Sequence, residues 1–146
     1  MGYDVYSVDA DAQKSESFAR KWKYGWLFDK ESQEFKGDSR VYFRANIWGM
    51  GRIRGIVANI ADNQGKDLEG FLRKFSWNDG EHVTTDECLE VATMIDSCPL
   101  PVLKSFCLED LQDQDSAEEL GFAIDEVREF SEYLKTAAEL NGCEVY

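Results

Sequence analysis

The chain has 146 residues, which is about the size of one compact domain. Apolar residues make up 43% of it and aromatic residues 13%, and this composition excludes an intrinsically disordered chain. The formal net charge of −13 excludes generic binding to nucleic-acid backbones, because such binding depends on basic side chains. We therefore expect a single globular domain over residues 1–146 that does not bind nucleic acid directly.

The sequence contains no segment that is typical of a membrane span or a signal peptide. The longest apolar-leaning stretch, Ile47–Ile60, is interrupted by Arg52 and Arg54 and is shorter than the roughly 20 apolar residues that a span needs. The opening Met1–Tyr6 has neither a basic region nor an apolar run. The four cysteines come without a secretion signal, so we expect reduced thiols in a cytoplasmic protein that does not contact a membrane.

The N-terminal part of the chain predicts two strands separated by a polar segment. Residues Tyr3–Val8 alternate polar and large apolar side chains with the two-residue period of a half-buried strand. Ser15–Arg20 favours a short helix, and the aromatic-rich segment Trp22–Phe28 fits either a strand or a packed loop. Arg40–Arg44 is typical of a second short strand.

A helix that contains three glycines is predicted from Asn46 onward. Apolar residues recur every three or four positions in Ile47–Ile60, and the Asn46 side chain is a suitable N-cap. Gly49, Gly51 and Gly55 each cost about 0.5–1 kcal/mol relative to alanine in a helix interior. We expect that close approach by a neighbouring element compensates for this cost.

The C-terminal part predicts further helices and a closing strand. Thr84 and Glu87 have the spacing of a capping box, which starts a helix over Thr85–Ser97. A continuous apolar stripe from Leu120 to Ala138 predicts a long helix, and Ser116 and Glu119 precede it at the spacing of a second capping box. The remaining elements are a helical pattern over Leu68–Phe75, a turn at Asn78–Gly80, a short helix within Val102–Leu111 and a strand over Cys143–Tyr146.

These elements together predict an α+β fold. We expect a small antiparallel sheet that includes strands from both chain termini, with about three main helices packed on one face of it. Pairing of Cys143–Tyr146 with Tyr3–Val8 would place both ends of the chain in the sheet.

Short motifs spread over most of the chain are similar to those of a known group of proteins. They are the opening Met1–Tyr6, the central Tyr42–Trp48, the turn Asn78–Gly80, and the closing Val127–Phe130 with Tyr133, Leu134 and Gly142. On these motifs the chain resembles a group of small uncharacterised bacterial and phage proteins. The resemblance implies a soluble protein of bacterial or phage origin, and it implies no particular activity.

Aromatic and basic residues cluster at the predicted junction between the second strand and the glycine-containing helix. The members are Tyr42, Arg44, Asn46, Trp48, Arg52 and Arg54. In an extended segment Tyr42 and Arg44 share one face, and the free N–H groups at the start of a helix attract anions. The cluster therefore predicts a site for a small anionic ligand. Alternatively, the arginines neutralise acidic residues of the same domain, and Tyr42 and Trp48 belong to the core.

The negative charge is concentrated in the C-terminal part of the chain. Residues 1–58 carry ten basic and eight acidic side chains, whereas residues 59–146 carry six and twenty-one. The densest acidic segment supplies Glu109, Asp110, Asp113, Asp115, Glu118 and Glu119. Two interpretations stay open. These side chains only solvate helix faces, or they form the binding face of a phage-type inhibitor that mimics nucleic acid toward a basic host protein.

The single histidine, His82, is the residue that most suggests catalysis. A histidine beside a carboxylate can act as a general base, so a small hydrolase that uses His82 and Asp79 is one hypothesis. The alternative, which we favour, is an exposed histidine in a turn. The cysteines lack the spacing of a zinc site, and Gly49–Gly51 lacks the residues of a phosphate-binding loop. The sequence thus favours a non-enzymatic binding protein, for a small anionic ligand or a protein partner, without a cofactor or metal.

Overall fold

The computed structural model describes residues 2–111 and 117–146, which form a four-stranded antiparallel sheet and six α-helices. The strands are β1 (Gly2–Ala10), β2 (Arg40–Asn46), β3 (Glu81–Val83) and β4 (Cys143–Val145), in the spatial order β2-β1-β4-β3. The helices are α1 (Ala12–Lys21), α2 (Ile47–Asn63), α3 (Glu69–Lys74), α4 (Thr85–Ser97), α5 (Leu100–Asp110) and α6 (Ala117–Ala138). The expected α+β class is confirmed, and α2, α4 and α6 are the three longest of these helices.

The two chain termini meet in the centre of the sheet, as the sequence predicts. Val5 of β1 is opposite Phe43 of β2 on one side and opposite Val145 of β4 on the other. All three side chains are completely buried. Along β1, buried residues alternate with partly exposed ones, because successive strand residues point to opposite faces of a sheet.

The long helix α6 covers the core and connects most of the other elements. It contacts α4, α5 and the strands β1, β2 and β4. The ring of Phe43 lies 5.4 Å from the ring of Phe130 and 5.6 Å from that of Tyr133, both on α6. Phe18 of α1 packs edge-on against Tyr133 at 5.8 Å. The predicted apolar stripe of α6 is therefore the side that faces the sheet.

The predicted N-caps Thr84 and Asn46 are present, and the third predicted N-cap, Ser116, lies outside the described residues. The Thr84 hydroxyl accepts a hydrogen bond from the Glu87 N–H at 3.2 Å, and the Glu87 carboxylate accepts one from the Thr84 N–H at 3.0 Å. The Asn46 side-chain oxygen accepts a hydrogen bond from the Gly49 N–H at 2.7 Å. These bonds satisfy donors that the first helical turn leaves unpaired, so local sequence defines where α4 and α2 begin.

The loop after α1 and the short strand β3 are the elements that the sequence leaves open or misses. Trp22–Phe28 is a packed loop with a 3₁₀ turn at Gly25–Leu27, closed by a bridge between Phe28 and Phe35. Strand β3 has three residues, of which only Val83 is buried. Such a strand is too short to show an alternating pattern, and it forms by pairing with β4.

Of the three glycines in α2, Gly49 alone makes a close contact with a neighbouring element. A Cβ atom there would lie 3.1 Å from Glu126 Oε2 of α6 and 3.2 Å from Asn46 Oδ1. A Cβ atom at Gly55 would meet nothing within 4 Å, and one at Gly51 would meet only the end of an arginine side chain at 3.8 Å. The expectation of close approach is therefore wrong for Gly51 and Gly55, because no neighbouring element covers that side of α2.

The junction between α4 and α5 is sharply bent at two prolines. Pro99 precedes α5 and Pro101 lies in its first turn, where a missing N–H costs no helical hydrogen bond.

Within residues 2–111 and 117–146, no single helix is long and apolar enough to cross a membrane. The pair α4 and α5 passes that test only together, and its two helices are bent by 101° relative to each other.

Candidate functional site

Four of the six clustered residues line one pocket. Arg44 and Asn46 at the end of β2, with Trp48 and Arg52 of α2, border a cavity of about 360 Å³. The rest of its lining is Lys23, Tyr24, Trp26, Ala45, Gly49, Phe122 and Glu126. Trp48 is 83% exposed, so its assignment to the core is wrong. It lies two positions from the buried Met50 and therefore on nearly the opposite side of the helix.

The other two members of the cluster lie elsewhere. Arg54 is two positions from Arg52, and helix geometry places such residues on nearly opposite sides. Its Nη1 atom donates a hydrogen bond to the Phe75 carbonyl oxygen at 2.7 Å, which ties α2 to the end of α3. Tyr42 shares a strand face with Arg44, as expected, but it is half-buried, and its hydroxyl donates a hydrogen bond to Asp4 at 2.5 Å.

Each arginine of the pocket faces a carboxylate of the same chain. Arg52 Nε donates a hydrogen bond to Asp110 at 3.1 Å, and its Nη1 lies 3.7 Å from Glu126 Oε1. Arg44 Nε lies 3.8 Å from Asp4 Oδ1. These contacts agree with the interpretation that the arginines neutralise acidic residues. An incoming anion would have to compete with carboxylates that are already in place.

A second pocket adjoins the first along α6. It has a volume of about 340 Å³ and is lined by Lys21, Trp22, Lys23, Phe122, Asp125, Glu126 and Glu129. The two pockets share Lys23, Phe122 and Glu126, and we call the joined space the α6 cleft. Helix α6 and the loop after α1 line both pockets, and the end of β2 and the start of α2 complete the first.

Two glutamates of α6 line the cleft and are almost completely buried. Glu126 is 6% exposed and Glu129 is 2% exposed. They are three positions apart and therefore lie on the same side of the helix. The Oε1 atom of each is buried and has no hydrogen-bond partner among the described residues. An unpaired buried acceptor costs about 1–3 kcal/mol, which makes this pair of carboxylates the feature of the cleft that most needs an explanation.

Burial is the main influence on the charge of both glutamates. It raises the pKa of Glu126 and of Glu129 above the ordinary value of 4.5. The ammonium group of Lys23, whose Nζ atom lies 3.4 Å from Glu129 Oε2, lowers both pKa values in part. Arg52 acts in the same direction on the pKa of Glu126, and Tyr24 on that of Glu129. The net effect is that both carboxyl groups hold their protons to a higher pH than exposed glutamates do.

Tyr24 fixes the loop that forms the wall of the cleft. Its hydroxyl accepts a hydrogen bond from the backbone N–H of Arg44 at 2.8 Å, and its side chain is 1% exposed. Burial and the neighbouring Glu129 raise the pKa of Tyr24, so the hydroxyl stays protonated. Its ring packs edge-on against Trp26 at 5.0 Å. The loop is thus anchored to β2 from one side of the cleft.

Glu126 and Glu129 are not among the site residues predicted from the sequence. Each lies four positions before a buried aromatic residue of α6, Glu126 before Phe130 and Glu129 before Tyr133. That spacing places both on the apolar side of the helix, and an acidic residue there is a detectable signal. In an acidic C-terminal region this signal is masked by the many exposed carboxylates around it.

A larger groove of about 650 Å³ lies between α2 and α3, with Leu72 and Trp77 among its lining residues. The described residues contain four buried polar side-chain atoms without a hydrogen-bond partner, and none of the four belongs to a residue of this groove. The α6 cleft contains three of them, on Trp22, Glu126 and Glu129. The α6 cleft is therefore the stronger candidate for recognising a polar molecule.

The structure describes only part of the predicted acidic face. Asp113 and Asp115 lie outside the described residues. Asp110 accepts the hydrogen bond from Arg52 and so takes part in an ion pair between α5 and α2. The remaining members, Glu109, Glu118 and Glu119, are exposed.

Replacing His82 with alanine is expected to change the free energy of unfolding by less than about 1 kcal/mol. The side chain is exposed on the edge strand β3, where its Nε2 atom lies 3.0 Å from the Asn141 carbonyl oxygen, and Asp79 is exposed in the preceding turn. An exposed hydrogen bond of this kind contributes little to stability. Urea unfolding measures the change. A hydrolytic activity that is present in the wild type and lost in this variant would instead support the hydrolase hypothesis.

Neither a metal site nor a known relative assigns a function to this cleft. Among residues 2–111 and 117–146, no group of three or more His, Cys, Asp or Glu side chains is arranged to hold a metal ion. The chain matches no protein-family model, no curated protein and no solved structure.

Proposed function

We propose that this protein is a non-enzymatic binding protein that holds a small polar molecule in the α6 cleft. The observation that carries the proposal concerns Glu126 and Glu129, which both line the cleft. The Oε1 atom of each is buried and has no hydrogen-bond partner among the described residues. A ligand that donates hydrogen bonds would satisfy these acceptors and recover the cost of leaving them unpaired.

The walls of the cleft supply apolar contact area next to these acceptors. Phe122 is 54% exposed and Trp26 is 60% exposed, and both line the pocket beside Glu126. Aromatic walls around a few convergent polar groups are the usual composition of a small-molecule site. The proposed ligand therefore has an apolar part that packs on the rings and donor groups that point to the glutamates.

This ligand class differs from the anionic one that the sequence favours. The positive groups of the cleft are already opposed by acidic side chains, Arg52 by Asp110 and Lys23 by Glu129. The buried Oε1 atoms of the two glutamates, by contrast, have no hydrogen-bond partner among the described residues. Donor groups on a ligand would pair these acceptors, and an acceptor group on the same ligand would pair the buried Trp22 Nε1 donor.

Native mass spectrometry of freshly purified protein tests the proposal. The wild type is expected to carry a small-molecule adduct that is released by collisional activation. A double variant with Glu126→Gln and Glu129→Gln keeps the shape of both side chains and is expected to lose most of the adduct. A wild type without any adduct, whose melting temperature also does not respond to a panel of small polar compounds, would contradict the proposal.

Replacing Glu126 with methionine is expected to raise the free energy of unfolding at neutral pH by about 1 kcal/mol. The folded-state pKa of Glu126 is raised, so its contribution to stability is largest below the ordinary value of 4.5 and is lost as the pH rises through the raised value. The advantage of the methionine variant should therefore increase with pH. Urea unfolding at about pH 4 and pH 7 measures it. A variant that is less stable at both pH values would show that the carboxylate is structural.

A further inference from the structure

We infer that the ligand of the α6 cleft is an organic cation with a primary ammonium group, bound between the carboxylates of Glu126 and Glu129 and the ring of Phe122. This inference rests on the proposed binding function and specifies its ligand class. Two observations support it. The ammonium group of Lys23 already lies beside Glu129, and the Oε1 atoms of Glu126 and Glu129 have no hydrogen-bond partner among the described residues.

Lys23 already shows how an ammonium group fits in the cleft. Its Nζ atom lies 3.4 Å from Glu129 Oε2 and 5.9 Å from the centre of the Phe122 ring. A carboxylate on one side and an aromatic face on the other is the arrangement that stabilises a desolvated ammonium ion. The Lys23 side chain is 42% exposed and flexible, so it can leave this position when another cation enters.

The protein's own cations do not use all the acceptors of the glutamates. Lys23 contacts Oε2 of Glu129, and Oε1 of Glu129 stays unpaired. The Arg52 Nη1 atom is 3.7 Å from Glu126 Oε1, which is beyond hydrogen-bond distance. An ammonium group has three N–H donors and no acceptor, so one such group can donate to more than one carboxylate oxygen. A carboxylate or phosphate ligand offers no such donors.

The acidic side chains of the second pocket also favour a cation. Asp125, Glu126 and Glu129 line it together with Lys21 and Lys23. Lys21 is already paired with Glu132, at 3.4 Å between Nζ and Oε2. If a ligand displaces Lys23 into solvent, three carboxylates remain around the bound group. The negative potential of these carboxylates then attracts a cation.

Binding of a cation should strengthen as the pH rises, because the ionised carboxylates are the form that binds. Burial holds the pKa of both glutamates above the ordinary value, and a bound ammonium group opposes that effect. The charged and titratable groups that act on the pair are Lys23 and Tyr24 of the loop, Arg52 of α2, Asp110 of α5, and Glu126 in its effect on Glu129.

Calorimetric titration of the purified protein with putrescine tests the inference. Butanediol and succinate, which have the same chain length with neutral and anionic ends, are the matched probes. Putrescine is expected to bind at neutral pH, more tightly than at about pH 5, and the other two probes are expected not to bind.

Four variants, one of them a control, locate the binding. Glu126→Gln and Glu129→Gln are each expected to weaken putrescine binding by roughly 10- to 100-fold, because each removes a charge-assisted hydrogen bond. Glu90→Gln is the control, since Glu90 is exposed on α4 and lines neither pocket. Lys23→Met removes the competing ammonium group while keeping the apolar stem, and it is expected to tighten binding.

The outcomes separate this inference from the proposed function. Binding of succinate or butanediol without binding of putrescine would contradict the inference that the ligand is a cation. It would still support the proposed binding function. Putrescine binding that the glutamine variants do not weaken, or that Lys23→Met abolishes, would also overturn the inference. If putrescine binds neither the wild type nor the Lys23→Met variant, the ligand is not a primary amine of this kind. An adduct in native mass spectra would then still support the binding function.

Discussion

Replacing Phe130 with alanine is expected to lower the free energy of unfolding by about 3–5 kcal/mol, the range for emptying a buried aromatic site. Phe130 is 1% exposed at the centre of the core. Its ring lies 5.3 Å from Phe75, 5.4 Å from Phe43 and 6.3 Å from Phe71. Truncation removes contacts to α3 and β2 at once, and these rigid neighbours cannot fill the space that it leaves.

Chemical unfolding of the wild type and of two alanine variants measures this effect. Phe122 belongs to the same helix and is 54% exposed, so Phe122→Ala is the matched control and should cost less than about 1 kcal/mol. Equal losses in the two variants would contradict the assignment of the buried side of α6.

Replacing Gly142 with alanine is expected to lower the free energy of unfolding by at least about 2 kcal/mol. Gly142 has a φ angle of +89°, in the left-handed region that favours glycine. A Cβ atom there would also overlap the carbonyl oxygen of Val83 in β3. Val83 pairs with β4, so relief of the clash requires β3 to move away from its only neighbouring strand.

The control for Gly142 separates the clash from the backbone strain. Gly65 has a φ angle of +67°, and a Cβ atom there would meet nothing within 4 Å. Gly65→Ala therefore carries only the strain, about 1 kcal/mol. Hydrogen exchange of the β3 amides should rise in Gly142→Ala and stay unchanged in Gly65→Ala. Equal unfolding free energies for the two variants would contradict the clash.

The sequence by itself determines the elements whose signals are local. Helix α4 begins where the Thr84 and Glu87 capping box predicts, and α6 buries the predicted stripe around Phe130. The alternation in β1 and the apolar end of the chain predict that both termini enter the sheet. These patterns can be detected in the sequence because caps and amphipathic periods depend on residues within one or two turns of each other.

The tertiary structure alone decides which of the clustered residues form a site. The sequence predicts that Tyr42 and Arg44 share one face of a strand. In the structure, the Tyr42 hydroxyl donates a hydrogen bond to Asp4, whereas Arg44 lines the cleft. Arg52 reaches Asp110 across more than fifty positions of the chain. Such pairings depend on how α2, α5 and α6 are placed around one another, and no local pattern encodes that placement.

The same reason explains why the two buried glutamates are found only in the folded protein. Spacing places Glu126 and Glu129 on the apolar side of α6, but their burial depends on the loop around Tyr24, about one hundred positions earlier in the chain. Burial removes water from both carboxylates, and the neighbouring side chains do not replace all of its hydrogen bonds. The sequence thus determines that Glu126 and Glu129 are acidic residues on the apolar side of α6. Their desolvation arises only when the loop packs across the helix, and the proposed binding chemistry depends on that desolvation.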